Sequence, residues 1–110
     1  IGRILRALGC NADTAPVLDV NINPDNPIIG TRSYGKDPEK VAALGRGYST
    51  GLESEGVMAV VKHFPGHGNV MGDTHIEIVH NDTDADTLRK TEYLVFSSAC
   101  KVSTVFATTT

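Results

Sequence analysis

The chain is 110 residues long, with 10 Lys and Arg against 13 Asp and Glu, a formal charge of −3 and a pI near 5.7. That length suits one small domain burying about 65% of the surface its unfolded form exposes. The acidic balance, with no Trp, three Phe and three Tyr, supplies neither the basic surface nor the stacking platforms of a nucleic-acid binder, and no apolar run reaches the roughly 20 residues that span a bilayer.

In chain order, residues 3–9 read as the last turns of a helix, with Gly9 just past its end, where the backbone commonly turns left-handed. Ala15 to Val20 (Ala-Pro-Val-Leu-Asp-Val) is a short apolar run between polar residues and reads as a buried strand. Residues 21–35, dense in Asn, Pro and Gly, form a long loop that carries Arg32; ordered loops of such length are usually functional. Asp37 caps the next helix, Pro38 takes its first position, and Glu39 sits at the positive end of the dipole. Val41, Leu44, Tyr48 and Leu52 give that helix one apolar stripe, and it should end near Gly56. Val57 to Val61 is a second strand, and a second long loop runs from His63 to about Asp82. Asp84 or Asp86 opens a third helix, with Leu88, Thr91, Val95 and Ala99 on one face, and Val102 to Ala107 is a third, β-branched strand.

The strands are apolar along their length rather than alternating, which suits a parallel sheet buried on both faces by helices, and so an α/β fold. Both long loops follow strands and therefore lie at the carboxyl end of the sheet, where parallel α/β proteins bind ligands. Cys10 and Cys100 make no disulfide framework and read as buried or free thiols. The chain opens on Ile1 and closes on Thr108, Thr109 and Thr110, so both ends are expected to lie within a longer protein.

The chemistry concentrates in Lys62-His63-Phe64-Pro65-Gly66-His67-Gly68, followed by Asp73-Thr74-His75. One cation, three imidazoles and a carboxylate follow a buried strand, and Gly66, Gly68 and Gly72 permit sharp turns and close approach of backbone to a ligand. Lys62 and His63 leave the strand end, which mounts them rigidly. A carboxylate two residues from an imidazole, as in Asp73 and His75, can fix its tautomer and raise its basicity, which makes a general acid/base. Any one of these histidines alone reads as a solvated loop residue; the cluster as a whole does not.

This signature resembles that of the β-N-acetylhexosaminidase branch of the family-3 glycoside hydrolases. Ala15 to Val20 resembles the family's preceding strand, and Gly30-Thr31-Arg32-Ser33-Tyr34-Gly35 before Asp37-Pro38 resembles its arginine loop; the likeness runs from about Leu5 to Ser98. The resemblance implies a (β/α)8 TIM barrel, of which residues 1–110 would be a fragment truncated at both ends and holding about strands three to five. It implies that Lys62, His63 and Arg32 bind N-acetylglucosamine, that His75 protonates the leaving oxygen with Asp73 supporting it, and that His67 shapes the loop. The implied reaction is retaining hydrolysis of terminal non-reducing N-acetylglucosamine from peptidoglycan-type or chitin-type glycosides, through a carboxylate nucleophile downstream of this chain. An imidazole acid/base carries no negative charge when deprotonated, so an anionic acceptor such as phosphate would be repelled less. No cofactor and no metal is implied; the partner is a small carbohydrate, neither nucleic acid nor membrane, and the location is bacterial cytoplasm.

The C-terminal stretch departs from the family pattern: Val105 to Thr110 lacks the Met, small residue and His that usually end the family's next strand. Two rival readings stand beside the hexosaminidase. In one, His63, His67, Asp73 and His75 ligate zinc in a metal-dependent hydrolase, but Pro65, Gly66 and Gly68 oppose the helix such a motif needs, and no Glu follows His63 directly. In the other, a non-catalytic relative binds sugar; a dead site has no reason to keep Asp73 and His75.

Overall fold

The computed structural model describes residues 1–71, 76, 78, 80–101 and 105–108. Helix α1 (Gly2–Ala7) leads to the two-residue strand β1 (Ala12–Asp13), a 3-10 turn (Gly30–Arg32), helix α2 (Pro38–Glu53), strand β2 (Met58–Phe64), helices α3 (Ala85–Lys90) and α4 (Glu92–Ala99), and strand β3 (Val105–Thr108). The strands form one parallel sheet in the order β1-β2-β3, with Ala12 opposite Met58, Val60 opposite Val105 and Lys62 opposite Ala107. The chain is thus a small α/β domain with a three-stranded parallel sheet.

Local chemistry sets the element ends. Gly9 adopts φ +84° past α1, and the amide of Cys10 closes back on the Leu5 carbonyl at 2.9 Å. The Asp37 carboxylate accepts from the amides of Glu39 at 3.0 Å and Lys40 at 3.4 Å, with Pro38 in the first turn, so α2 starts where its sequence indicates. Asp84, rather than Asp86, caps α3 by accepting from the amides of Asp86 and Thr87, both at 3.0 Å. The helix expected beyond it is two: Thr91 leaves helical geometry (φ −114°, ψ −94°), and α4 restarts at Glu92.

Three expectations need correction. The run from Ala15 to Val20 lies beside β2 but forms only an isolated bridge, Val17 to Lys62, with Leu18 N–H donating to the Lys62 carbonyl and Lys62 N–H to the Pro16 carbonyl at 3.1 Å. Pro16 has no N–H to give, so the ladder cannot run through it, and the regular strand sits earlier, at Ala12–Asp13. Strand β2 runs on to Phe64, so Lys62 and His63 belong to the strand rather than to the loop beyond it. The sheet is also not buried on both faces: along β2, Ala59 and Val61 are buried, whereas Met58 is 49% exposed and Val60 and Lys62 are half-buried. Helices α2 and α4 pack against one another and against β2, so the helical layer lies over one face of the sheet.

The main core joins Leu18, Val20, Val41, Ala42, Val61, Val95, Phe96 and Ala99; a smaller cluster holds Leu52, Val57 and Ala59. Helix α2 buries Val41, Ala42, Gly45, Ser49 and Leu52, and Leu44, expected in the apolar stripe, is 44% exposed. The reason is Gly45: a β-carbon there would stand 2.3 Å from Leu18 Cδ2, so the helix turns its small side toward the sheet and Leu18 fills the gap.

Candidate active-site face

Because the strands are parallel, residues 21–35 and the segment after Phe64 leave the same end of the sheet and meet there. Their junction is built on Asn26, which is 5% exposed and whose side chain makes four hydrogen bonds. Its amide nitrogen donates to the carbonyls of His67 at 2.7 Å and Val70 at 3.0 Å, and its oxygen accepts from the amides of Ile28 and Ile29, both at 2.9 Å. The same side chain therefore turns the chain into Gly30–Arg32 and ties that turn to the histidine segment. Ser33 closes the arginine loop, its hydroxyl donating to the Asp19 carbonyl at 2.6 Å.

Asp19 is the second organiser. Its carboxylate has no solvent exposure and accepts three hydrogen bonds: from the His67 amide at 2.6 Å, the His63 amide at 3.2 Å and the His63 ring at Nδ1, 2.6 Å away. A buried carboxylate is costly unless it is satisfied in this way. The far ring nitrogen of His63, Nε2, lies 3.4 Å from Arg32 Nη2, and Arg32 Nη1 donates to the Ile28 carbonyl at 3.2 Å.

Three sequence-predicted site residues are thus placed at one end of the sheet. His63 and Arg32 come together from positions far apart in the chain. Lys62 precedes His63 on β2, is half-buried, and its ammonium has no hydrogen-bond or ion-pair partner among the described residues. Arg and Lys carry only donors, so this face offers guanidinium and ammonium hydrogens to ligand oxygens. His67 is 3% exposed, and its backbone N–H and carbonyl are spent on Asp19 and Asn26. Asp73 and His75 lie outside the described residues, as does Gly72.

The glycines of the motif meet close neighbours. A β-carbon on Gly68 would stand 1.8 Å from the Val20 carbonyl oxygen, and one on Gly66, at φ +135°, would stand 2.2 Å from Glu92 Cγ. Gly68 lets the loop lie directly on the end of the Val20 segment, and Gly66 lets it pass over α4. Among the described residues no three His, Cys, Asp or Glu side chains group as metal ligands.

Sequence reasoning missed the roles of Asp19 and Asn26. Asp19 carried a signal: it is the one charged residue in the apolar run from Ala15 to Val20, and a carboxylate there has to find donors. Asn26 carried none, standing among several turn-forming residues of similar character.

The family model for the glycosyl hydrolase family 3 N-terminal domain matches residues 1–107. The chain belongs to that family. Among curated relatives, beta-hexosaminidase A of Pseudoalteromonas piscicida is 40% identical over 103 residues, which is 94% of this chain and 17% of the relative. Among solved structures, a glycoside hydrolase family 3 beta-N-acetylglucosaminidase from Paenibacillus sp. str. FPU-7 matches with a TM-score of 0.89 and 41% identity, over 97% of this chain and 22% of that one. NagZ from Neisseria gonorrhoeae, in complex with N-trifluoroacetyl-D-glucosamine, matches with a TM-score of 0.88 and 30% identity, over 97% and 31%. The chain therefore spans about a sixth to a third of these relatives. No helix among the described residues is long and apolar enough to cross a membrane.

Proposed function

We propose that the protein containing this chain is a retaining β-N-acetylhexosaminidase acting on terminal non-reducing N-acetylglucosamine, and that these residues form about strands three to five of its (β/α)8 barrel. The observation that carries the reading is the meeting of His63, near the end of β2, with Arg32 from the loop of residues 21–35, in a family-3 chain whose relatives are named beta-hexosaminidases. The sequential parallel order β1-β2-β3, with helices over one face, is the arrangement such a barrel needs. Uncovered apolar surface also favours it: Met58 is 49% exposed, and a hollow of about 530 Å³ opens between Phe64, Tyr93, Phe96 and Phe106.

In this reading Lys62, His63 and Arg32 hold the sugar. His75 gives its proton to the leaving oxygen and later takes one from water, and Asp73 keeps its imidazole oriented. A carboxylate beyond this chain attacks the anomeric carbon and forms the glycosyl-enzyme, so the 110 residues by themselves are inactive.

The test is to express the full-length protein beside His75→Ala and follow 4-nitrophenol release from the N-acetyl-β-glucosaminide and the β-glucoside, in buffer with and without phosphate. Preference for the N-acetyl sugar and a loss of about 10²-fold or more in the variant are expected. A variant as fast as the parent removes His75 from the mechanism, and preference for the plain glucoside removes the hexosaminidase assignment. Acceleration by phosphate, with sugar phosphate as product, would make the enzyme a phosphorylase instead.

A further inference from the structure

The geometry points to Asp19 as a positioning residue that fixes His63 in the tautomer protonated on Nδ1, so that Nε2 and Arg32 together grip one ligand hydroxyl as donor and acceptor at once. The inference rests on the sugar-binding reading above for the identity of the ligand, but not for the state of His63.

Asp19 accepts hydrogen bonds and cannot donate them while it is a carboxylate. Its two oxygens are already held by the backbone amides of His67 and His63, so it cannot rotate away from the ring. The ring nitrogen 2.6 Å from it must carry the hydrogen. A neutral imidazole then has its lone pair on Nε2, and that is the atom facing Arg32. A doubly protonated ring would instead set an N–H and a positive charge against the guanidinium, 3.4 Å away.

The distance of 3.4 Å is longer than the usual 2.7–3.2 Å or so for an N–H donor. Arg32 also spends Nη1 on the Ile28 carbonyl. The Nε2 lone pair and the Nη2 hydrogens are therefore poorly matched to one another and open to a third group. A hydroxyl fits both: its hydrogen goes to Nε2, and its oxygen accepts from the guanidinium. A carbonyl or a fluorine has no hydrogen for Nε2, and an ammonium has no lone pair for Arg32.

Asp19→Asn disturbs this in a specific way. The amide has one acceptor where three donors converge. Turning its NH2 toward His67 opposes a backbone N–H at 2.6 Å, which cannot change its hydrogen. Turning it toward His63 opposes the longer backbone contact, the His63 N–H at 3.2 Å, and a ring that can change, by moving its proton to Nε2. The substitution is therefore expected to invert the His63 tautomer and present a donor to Arg32.

Two-bond ¹H–¹⁵N spectra of the full-length protein with labelled imidazoles, the His63 signals identified by their loss in His63→Gln, read this directly. Protonation on Nδ1 in the parent and on Nε2 in Asp19→Asn, with kcat/KM for the aryl N-acetylglucosaminide down about 10²-fold, is the expected result. Protonation on Nε2 in the parent overturns the inference, and so does an Asp19→Asn protein with unchanged tautomer and kinetics. Where Asp19→Asn does not fold, the parent spectrum still decides the tautomer. The 3-, 4- and 6-deoxyfluoro substrates decide the hydroxyl: one of them should lose about 10²-fold in the parent and lose nothing further in His63→Gln. Equal responses of all three to His63→Gln overturn that part. A parent with His63 protonated on Nδ1 that cleaves no N-acetylglucosaminide supports the role of Asp19 while sinking the hexosaminidase reading.

Discussion

Replacing Gly68 with alanine probes the joint between the two strand-following segments. The new methyl carbon would stand 1.8 Å from the Val20 carbonyl oxygen, 2.5 Å from its carbonyl carbon and 3.0 Å from its nitrogen. All three are backbone atoms, so no side chain can swing aside. To bring the nearest contact out to 3.0 Å, one segment has to retreat by roughly 1.2 Å. Retreat is obstructed on both sides: Asn26 holds the carbonyls of His67 before Gly68 and Val70 after it, and Asp19 holds the His67 amide. Overpacking of this kind costs about 1–3 kcal/mol of stability, and under the proposed function a displacement near 1 Å in this loop costs about 10²-fold in rate. Thermal unfolding and kcat/KM of full-length Gly68→Ala measure both. A variant with the parent's unfolding midpoint and the parent's rate would show that the loop does not rest on Val20, and glycine in the motif would then have no steric reason.

Asn26→Asp keeps the acceptor for Ile28 and Ile29 but sets a carboxylate oxygen against two carbonyls, so KM for the sugar should rise at least about 10-fold through misplacement of Arg32, with a smaller change in kcat; steady-state kinetics give the split. At Asp84 the Thr87 hydroxyl, and then the Thr87 amide, hold the carboxyl below its ordinary value of 3.8. A group with a depressed folded pKa contributes stability above its unfolded pKa and loses it as pH falls through the folded one, so protection of the Asp86 and Thr87 amides should weaken below about pH 3.8. In Asp84→Asn, which still caps, that part of the pH dependence should vanish; hydrogen exchange across the range measures it.

The parts of the fold legible in the sequence were those governed by neighbours in the chain. Asp37 and Pro38 start α2 because capping needs only the next three residues, and Gly9 ends α1 for the same kind of reason. The errors arose where the deciding contact was distant. Leu44 matches the helical period as well as Gly45 does, but the shape of Leu18 decides which of them faces the sheet. Pro16 was visible in its run, yet its cost to the ladder depends on which neighbour would have received its N–H. At the site, residue types in one motif singled out Lys62 and His63 as candidates. Asp19, which holds His63, lies 44 residues away in the chain and signalled itself only as a lone charge in an apolar run; Asn26, which ties down the segment after β2 through His67 and Val70, has no local signature.

The Asn26 junction also bears on how the protein folds. Its hydrogen bonds to His67 and Val70 close loops of 41 and 44 residues, and the Asp19–His63 pair closes one of 44. Closing such loops carries an entropic cost that local helix formation does not, so α2 can form before these contacts are made. The proposed ligand-binding groups then take their places after α2, and a local opening of residues 21–35 would release Arg32 while β2 and α2 stay folded. Under the proposed function, binding a sugar between Arg32 and His63 opposes that opening, which links ligand affinity to the order of the arginine loop.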